Sequence, residues 1–231
     1  MRLITFGDSW TAGHGVETDV RHKHEATPPW GCEFIEKLRK ANGWPRWLAN
    51  KLECPYVVFA NCGGSNWDSL NYIQRIVADN MFEPDDIIIV MFTHPNRDSD
   101  GCLKNYSEIE KLLAPYTRFY FNAFFPIFET VYDFDTKTLP THFINPDGSM
   151  SDILKEYEIK NDVSVWEYNS RRVWNETDMC WVGEYHPNIL GYKLIAEYIY
   201  NEIQNANGIL NVTNKKRNPH PSQNLLRRAW I

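Results

Sequence analysis

Three stretches of the sequence that are predicted to be β-strands each end in small polar residues. The polar sets are residues 7–9, 61–66 and 93–97, and the apolar strands before them are residues 2–6, 56–60 and 87–92. In a parallel sheet the carboxyl ends of the strands meet at one edge, and sites form beyond that edge. We therefore expect the three polar sets to lie together in the folded chain.

A serine and a histidine from distant parts of the sequence could together carry out acyl transfer. Ser9 follows the first predicted strand, and His186 precedes Pro187-Asn188 at the start of the last predicted helix. A serine hydroxyl attacks a carbonyl only after a base removes its proton, and that base is usually a histidine. The oxyanion that forms needs N–H donors, which the backbone of Gly64 and the side-chain amide of Asn96 could supply. The predicted chemistry is attack on an ester by Ser9, with His186 as the base.

An α/β fold would bring these residues together. The predicted helices include Phe34–Leu38, which ends before Gly43, and a second helix from Pro45 to Leu52. Further helices are predicted at 68–81, 105–113 and 188–204, and a fourth strand at 118–125. The continuous apolar run 87–92 is typical of a parallel strand that helices cover on both faces. We expect one domain over residues 1–213, with an irregular insertion at about 126–187, followed by a basic tail over 214–231.

Composition and cysteine usage limit the functions open to the chain. The 231 residues carry a net charge of −6, so we do not expect a general nucleic-acid binder. No run of about 18 apolar residues occurs, and the first apolar run is too short for a secretory signal. The five cysteines are odd in number and form no C-x-x-C pair, which favours reduced thiols over disulfides or a zinc site. We therefore expect no membrane segment, no metal, and synthesis in the cytoplasm, with the final compartment left open.

The polar sets also resemble the sequence blocks of a known enzyme family. Gly7-Asp8-Ser9-Trp10-Thr11-Ala12-Gly13 resembles the first block of the SGNH (GDSL-type) hydrolases. Residues 61–66 and 93–97 are placed like the second and third blocks, and His186-Pro187-Asn188 with Gly191-Tyr192 is similar to the last. This resemblance implies a flavodoxin-like three-layer α/β/α sandwich with a central parallel sheet.

The same resemblance, which spans about residues 1–205 with the middle unmatched, implies an esterase that uses no metal or organic cofactor. The implied substrates are esters, often acetyl groups on carbohydrate or simple lipids. Ser9 would be the nucleophile and His186 the base. The Ser9 N–H, the Gly64 N–H and the Asn96 amide would form the oxyanion hole.

The sequence departs from the family pattern in two blocks. The third block usually reads Gly-x-Asn-Asp, whereas here it is Thr93-His94-Pro95-Asn96-Arg97. An Asp usually stands three residues before the histidine, where this chain has Gly183. Glu184 is the first candidate for orienting His186, and Asp178 or a backbone carbonyl are the alternatives.

Several polar residues beside these positions are candidates for contact with the substrate. They are Asp8, Asn66, His94 and Arg97. Asp8 could instead pair with a basic group or accept hydrogen bonds from the turn backbone, which is the commoner role of such an Asp. His14 begins a polar loop over residues 14–29, which we expect near the site rather than at a metal.

The tail supports a second hypothesis. Residues 214–231 contain five basic residues and no acidic one, together with Leu225, Leu226, Trp230 and Ile231. Such a segment could dock on a protein partner or remain a solvated charged terminus. A nucleic-acid partner is the weakest alternative. The altered blocks and this tail favour, as the alternative to an esterase, a non-catalytic binding or assembly module on the same fold.

Overall fold

A computed structural model describes most of the chain. It covers residues 1–16, 32–93, 97, 102–123, 148–166, 173–175, 180–182 and 186–214. Of the predicted site residues, His94, Asn96, Asp178 and Glu184 lie outside these ranges, as does the tail from residue 215 onward.

A four-stranded parallel sheet forms the centre of the fold. Its strands are β1 (Leu3–Gly7), β2 (Tyr56–Ala60), β3 (Ile87–Phe92) and β4 (Thr117–Asn122). They are arranged in the order β2-β1-β3-β4, and every neighbouring pair is parallel. This is the order of the first four strands of a flavodoxin-like sheet. The predicted α/β class with a central parallel sheet is therefore confirmed.

Six helices are present in the described part of the chain. They are α1 (Cys32–Asn42), α2 (Trp44–Lys51), α3 (Asn66–Ala78), α4 (Cys102–Leu113), α5 (Met150–Asn161) and α6 (Ile189–Asn214). None of the described helices is long and apolar enough to cross a membrane. A separate antiparallel pair is formed by β5 (Val173–Asn175) and β6 (Cys180–Val182).

The sheet has a hydrophobic core on each face, which makes the fold three-layered. Ile87, Ile89 and Met91 of β3 pack in one core with residues of α2, α5 and α6. The alternate residues of the same strand, Ile88, Val90 and Phe92, pack in the other core with α3 and α4. All six side chains are buried. Because successive strand residues point to opposite faces, a strand covered on both sides must be apolar throughout.

The predicted elements differ from the observed ones mainly between β4 and α6. Strands β2 and β3 have the predicted bounds, and α6 runs ten residues beyond its predicted end, to Asn214. Part of the region predicted as an irregular insertion is the helix α5. Ser149 caps this helix by accepting a hydrogen bond from the Asp152 N–H. Met150 and Leu154 are buried in the core against α6, so α5 belongs to the main fold.

Candidate active site

The first strand ends in a tight turn that holds Ser9 at the carboxyl edge of the sheet. The Ala12 N–H donates to the Asp8 carbonyl at 2.9 Å, and the His14 N–H donates to the Ser9 carbonyl at 3.0 Å. A Cβ atom on Gly7 would lie 2.2 Å from Thr11 Oγ1, so the turn requires glycine at the end of β1. Ser9 itself is 3% exposed.

Asp8 joins the loop after β1 to the loop after β3. Its carboxylate is fully buried and accepts three hydrogen bonds from the protein. The donors are the Trp10 N–H at 2.9 Å to Oδ1, and Thr93 Oγ1 at 2.6 Å and Arg97 Nη1 at 3.2 Å to Oδ2. Asp8 therefore both pairs with a basic group, Arg97, and accepts a hydrogen bond from the turn backbone. A carboxylate so occupied holds the two loops in place.

The pKa of the Asp8 carboxyl is raised above its usual range, because burial removes the solvation of the charged form. The hydrogen bonds from Thr93 and Trp10 lower the pKa, and so do the charges of Arg97 and His186, but they offset only part of the effect of burial.

The loop after β2 is tied to the same cluster. Arg97 Nη1 donates to the Gly64 carbonyl at 3.2 Å, and Asn66 Oδ1, buried at 1% exposure, accepts from the Thr93 N–H at 2.9 Å. Asn66 thereby links the loop after β2 to the loop after β3. The Gly64 N–H, an expected oxyanion donor, donates to the Asn61 carbonyl at 3.1 Å. All three polar sets that follow the strands thus meet at one edge.

His186 is held at this edge by the segment before α6. It is 8% exposed, and the following Pro187 pairs with Trp166 in an isolated bridge. The Asn188 N–H donates to the Val165 carbonyl at 2.9 Å. A Cβ atom on Gly191 would lie 2.4 Å from that same carbonyl oxygen. The close approach of α6 to residues 164–166 therefore sets the position of His186.

His14 contacts both the turn that carries Ser9 and the ring of His186. Its ring centroid is 5.5 Å from that of His186, while its backbone N–H is bonded to the Ser9 carbonyl. Its own carbonyl accepts from the Tyr192 hydroxyl of α6. Within the described part of the chain, the Ser9 hydroxyl makes no hydrogen bond to His186. Such contacts often tighten only when a substrate binds.

A group of acidic side chains lies at the opposite edge of the sheet. Within the described ranges, Glu83, Asp85 and Asp86 are the residues whose potential metal-binding atoms come within 4.8 Å of one another. Asp86 is engaged by Arg2, and the amino terminus pairs with Asp85. These carboxylates neutralise local positive charge and are remote from Ser9 in the sheet, so they contribute nothing to the site.

No family model matches the sequence, and no curated protein matches it. Solved structures do resemble the fold. One is a member of the lipolytic protein G-D-S-L family from Veillonella parvula, at 18% identity and a TM-score of 0.42, covering 85% of this chain and 94% of that chain. Another is a lipase from a goat rumen metagenome, at 14% identity and a TM-score of 0.42, covering 89% and 97%.

A third similar structure is a carbohydrate esterase family 2 enzyme with a carbohydrate binding domain, from Corynascus thermopiles. It is 18% identical with a TM-score of 0.46, and the match covers 90% of this chain and 66% of that chain. At such low identity the similarity describes the fold alone.

Proposed function

We propose that this chain is a serine ester hydrolase in which Ser9 is the nucleophile and His186 the base. The observation that carries the proposal is the linked placement of the two residues at the carboxyl edge of the sheet. His14 contacts both of them, through the Ser9 carbonyl at 3.0 Å and through the His186 ring at 5.5 Å between centroids. Both residues are also nearly buried, which keeps bulk water from competing for the reacting groups.

In the proposed reaction, His186 takes the proton of the Ser9 hydroxyl while Ser9 Oγ forms a bond to the ester carbonyl carbon. The carbonyl oxygen becomes an oxyanion. His186 then gives the proton to the leaving alcohol oxygen as the carbon–oxygen bond breaks. A water molecule, activated by the same imidazole, releases the acid from Ser9 and restores the free enzyme.

The proposed oxyanion donors are the Ser9 N–H, the Gly64 N–H and the Asn96 amide. Each donor that is aimed at the developing charge contributes on the order of 3 kcal/mol. Gly64 would have to share its N–H between the oxyanion and the Asn61 carbonyl that it now bonds at 3.1 Å. Glu184 remains the first candidate for orienting His186, with Asp178 or a backbone carbonyl as alternatives.

Replacement of the nucleophile tests the proposal directly. Turnover of p-nitrophenyl acetate by Ser9→Ala should fall by about 10⁴-fold or more, with unchanged far-UV circular dichroism. Ser107→Ala, at an exposed position of α4, is the matched control and should retain full activity. A fluorophosphonate probe should label the wild type at Ser9, as mapped by peptide mass spectrometry. Equal turnover by wild type and Ser9→Ala across a panel of esters would refute the proposal.

One observation favours the second candidate, a non-catalytic binding module. The Gly64 N–H is already used within its own turn, as expected if no oxyanion has to be held there. In that case the fluorophosphonate would label no residue, and neither Ser9→Ala nor Ser107→Ala would differ from the wild type on any ester.

A further inference from the structure

The Tyr192 hydroxyl joins α6 to the turn that carries Ser9. It donates to the His14 carbonyl at 2.5 Å, and the His14 N–H in turn donates to the Ser9 carbonyl at 3.0 Å. Tyr192 is fully buried. Its own N–H donates to the Asn188 carbonyl at 3.0 Å, which fixes it in the first turn of α6. Two hydrogen bonds in series therefore connect the helix that follows His186 to the backbone of Ser9.

A second contact between the same two parts of the chain is apolar. The Trp10 ring lies 5.9 Å from the Trp166 ring, edge to face at 61°, and Trp166 is bridged to Pro187 just before α6. Aromatic pairs are favourable over a range of separations, from about 4.5 to 7 Å. A hydrogen bond weakens steeply when its length or angle changes. The Tyr192 bond is therefore the more directional of these two contacts between the turn and α6.

The distance between the turn and α6 matters because each of them carries one half of the proposed proton transfer. A general base acts within hydrogen-bond reach of the proton that it takes, at about 2.6 to 3.2 Å. Ser9 follows β1, whereas His186 lies on the segment that enters α6. A shift of α6 relative to the turn changes the distance from the Ser9 hydroxyl to the imidazole. A misplacement of about 1 Å can cost about 100-fold in rate.

We propose that Tyr192 is a positioning residue, whose hydroxyl holds the turn of Ser9 at the distance from α6 at which His186 can take the Ser9 proton. Tyr192 acts through the His14 carbonyl and transfers no proton itself. The inference rests on the proposed function for the reaction. The placement of the two imidazoles, His14 and His186, can also be measured without any turnover.

Tyr192→Phe tests the inference, because it removes the hydroxyl and keeps the ring in the core. The kcat for p-nitrophenyl acetate should fall about 10- to 100-fold, while KM stays within about twofold, since no group that binds the substrate is changed. Tyr200→Phe is the matched control. It removes the same atom from a half-buried tyrosine about two turns further along α6 and should leave both constants unchanged. Reduced thermal stability of Tyr192→Phe with an unchanged kcat would show a structural role alone and overturn the inference.

The rate of fluorophosphonate labelling at Ser9 shows whether Tyr192 acts through His186. In the wild-type background, Tyr192→Phe should slow labelling about 10- to 100-fold. In a His186→Ala background, which labels slowly because the base is absent, Tyr192→Phe should change the rate by less than about twofold, since no imidazole is left to misplace. A loss of equal size in both backgrounds would mean that the hydroxyl acts independently of the base, and the inference would be wrong.

The two histidine rings provide a readout that needs no reaction. The ring centroids of His14 and His186 are 5.5 Å apart, so their carbon-bound protons should give a nuclear Overhauser effect in the full chain with labelled histidines. His14→Gln and His186→Ala assign the two resonances. The effect should be present in wild type and in Tyr200→Phe and should be lost in Tyr192→Phe. An unchanged effect in Tyr192→Phe would overturn the inference.

The two proposals fail in different ways. If no ester is hydrolysed and Ser9 is not labelled, but the ring contact is lost in Tyr192→Phe alone, the hydroxyl holds the two histidines in place and the proposed function is wrong. If Ser9→Ala abolishes hydrolysis, but Tyr192→Phe equals Tyr200→Phe in kcat and in the ring contact, the proposed function stands and the positioning role is wrong.

Discussion

Thr93→Val should destabilise the protein by about 2 to 3 kcal/mol at pH 8, because it removes a hydrogen bond to a buried charge. Thr93 Oγ1 donates to Asp8 Oδ2 at 2.6 Å, and both residues are almost fully buried. Valine has nearly the same shape, so the substitution changes little except the hydroxyl. Without it, the Asp8 carboxylate keeps the Trp10 N–H and Arg97 as donors and loses the shortest of its three hydrogen bonds.

The loss should depend on pH, with a sign that follows from the pKa of Asp8. Burial raises the folded-state pKa of Asp8 above its unfolded value near 3.8. The contribution of Asp8 to stability is therefore fully present below that value and is lost as the pH rises through the folded pKa. Thr93 lowers the pKa of Asp8, so its removal raises the folded pKa further. The free-energy difference between wild type and Thr93→Val should be smallest near pH 4, at about 1 kcal/mol, and should grow as the pH rises and Asp8 ionises.

Urea denaturation followed by tryptophan fluorescence between pH 4 and pH 8 measures this difference. Thr5→Val is the matched control, because Thr5 is fully buried in β1 and its hydroxyl donates to the Val57 carbonyl in a long hydrogen bond of 3.4 Å. It should cost less than about 1 kcal/mol at every pH, since a long bond between neutral groups adds little. The reasoning is refuted if the two variants are equally stable at pH 8, or if the effect of Thr93→Val does not change with pH.

Two further substitutions test the packing around the site and the core. Gly191→Ala should lower stability by about 2 kcal/mol despite the better helix propensity of alanine, because its Cβ would meet the Val165 carbonyl at 2.4 Å; equal or higher thermal stability would contradict this. Glu110→Ala should cost about 3 kcal/mol in urea denaturation, since it removes the carboxylate that neutralises the largely buried Arg118 and leaves that charge with the Ala114 and Tyr116 carbonyls. Glu108→Ala, which breaks an exposed pair, is the control and should change stability by less than about 0.5 kcal/mol.

The sheet was predictable from the sequence because its strands are buried on both faces. The run Ile87–Phe92 has no polar position, and burial on two sides is a simple reason for that pattern. The sequence also predicted that the polar sets after β1, β2 and β3 lie together, because parallel strands place their carboxyl ends at one edge of the sheet. For these strands the apolar pattern in the sequence matches the burial of the side chains in the fold.

The sequence does carry a helical pattern for α5, which the prediction of an irregular insertion did not use. Met150, Ile153, Leu154 and Tyr157 have the spacing i, i+3, i+4 and i+7, and all four lie in or against the core. The cap at Ser149 was a usable signal, since a serine followed three residues later by an acidic residue is typical of a helix start. The role of His14 could not be found in this way. Its contact with His186 joins residues far apart in sequence, and no spacing within one element reports it.

The hydrogen bonds around Asp8 give a reason for a buried carboxylate at this position, although burial destabilises its charged form. The proposed nucleophile Ser9 and the proposed donor Gly64 lie on separate loops, and apolar packing has no direction with which to fix one loop relative to the other. Hydrogen bonds from Thr93 and Arg97, and the bond from Arg97 to the Gly64 carbonyl, fix distances and directions between the loops. An oxyanion is stabilised only by donors already aimed at its position. The hydrogen bonds to the Asp8 carboxylate can therefore favour the proposed reaction by fixing the loops, even though burying that carboxylate lowers the free energy of unfolding.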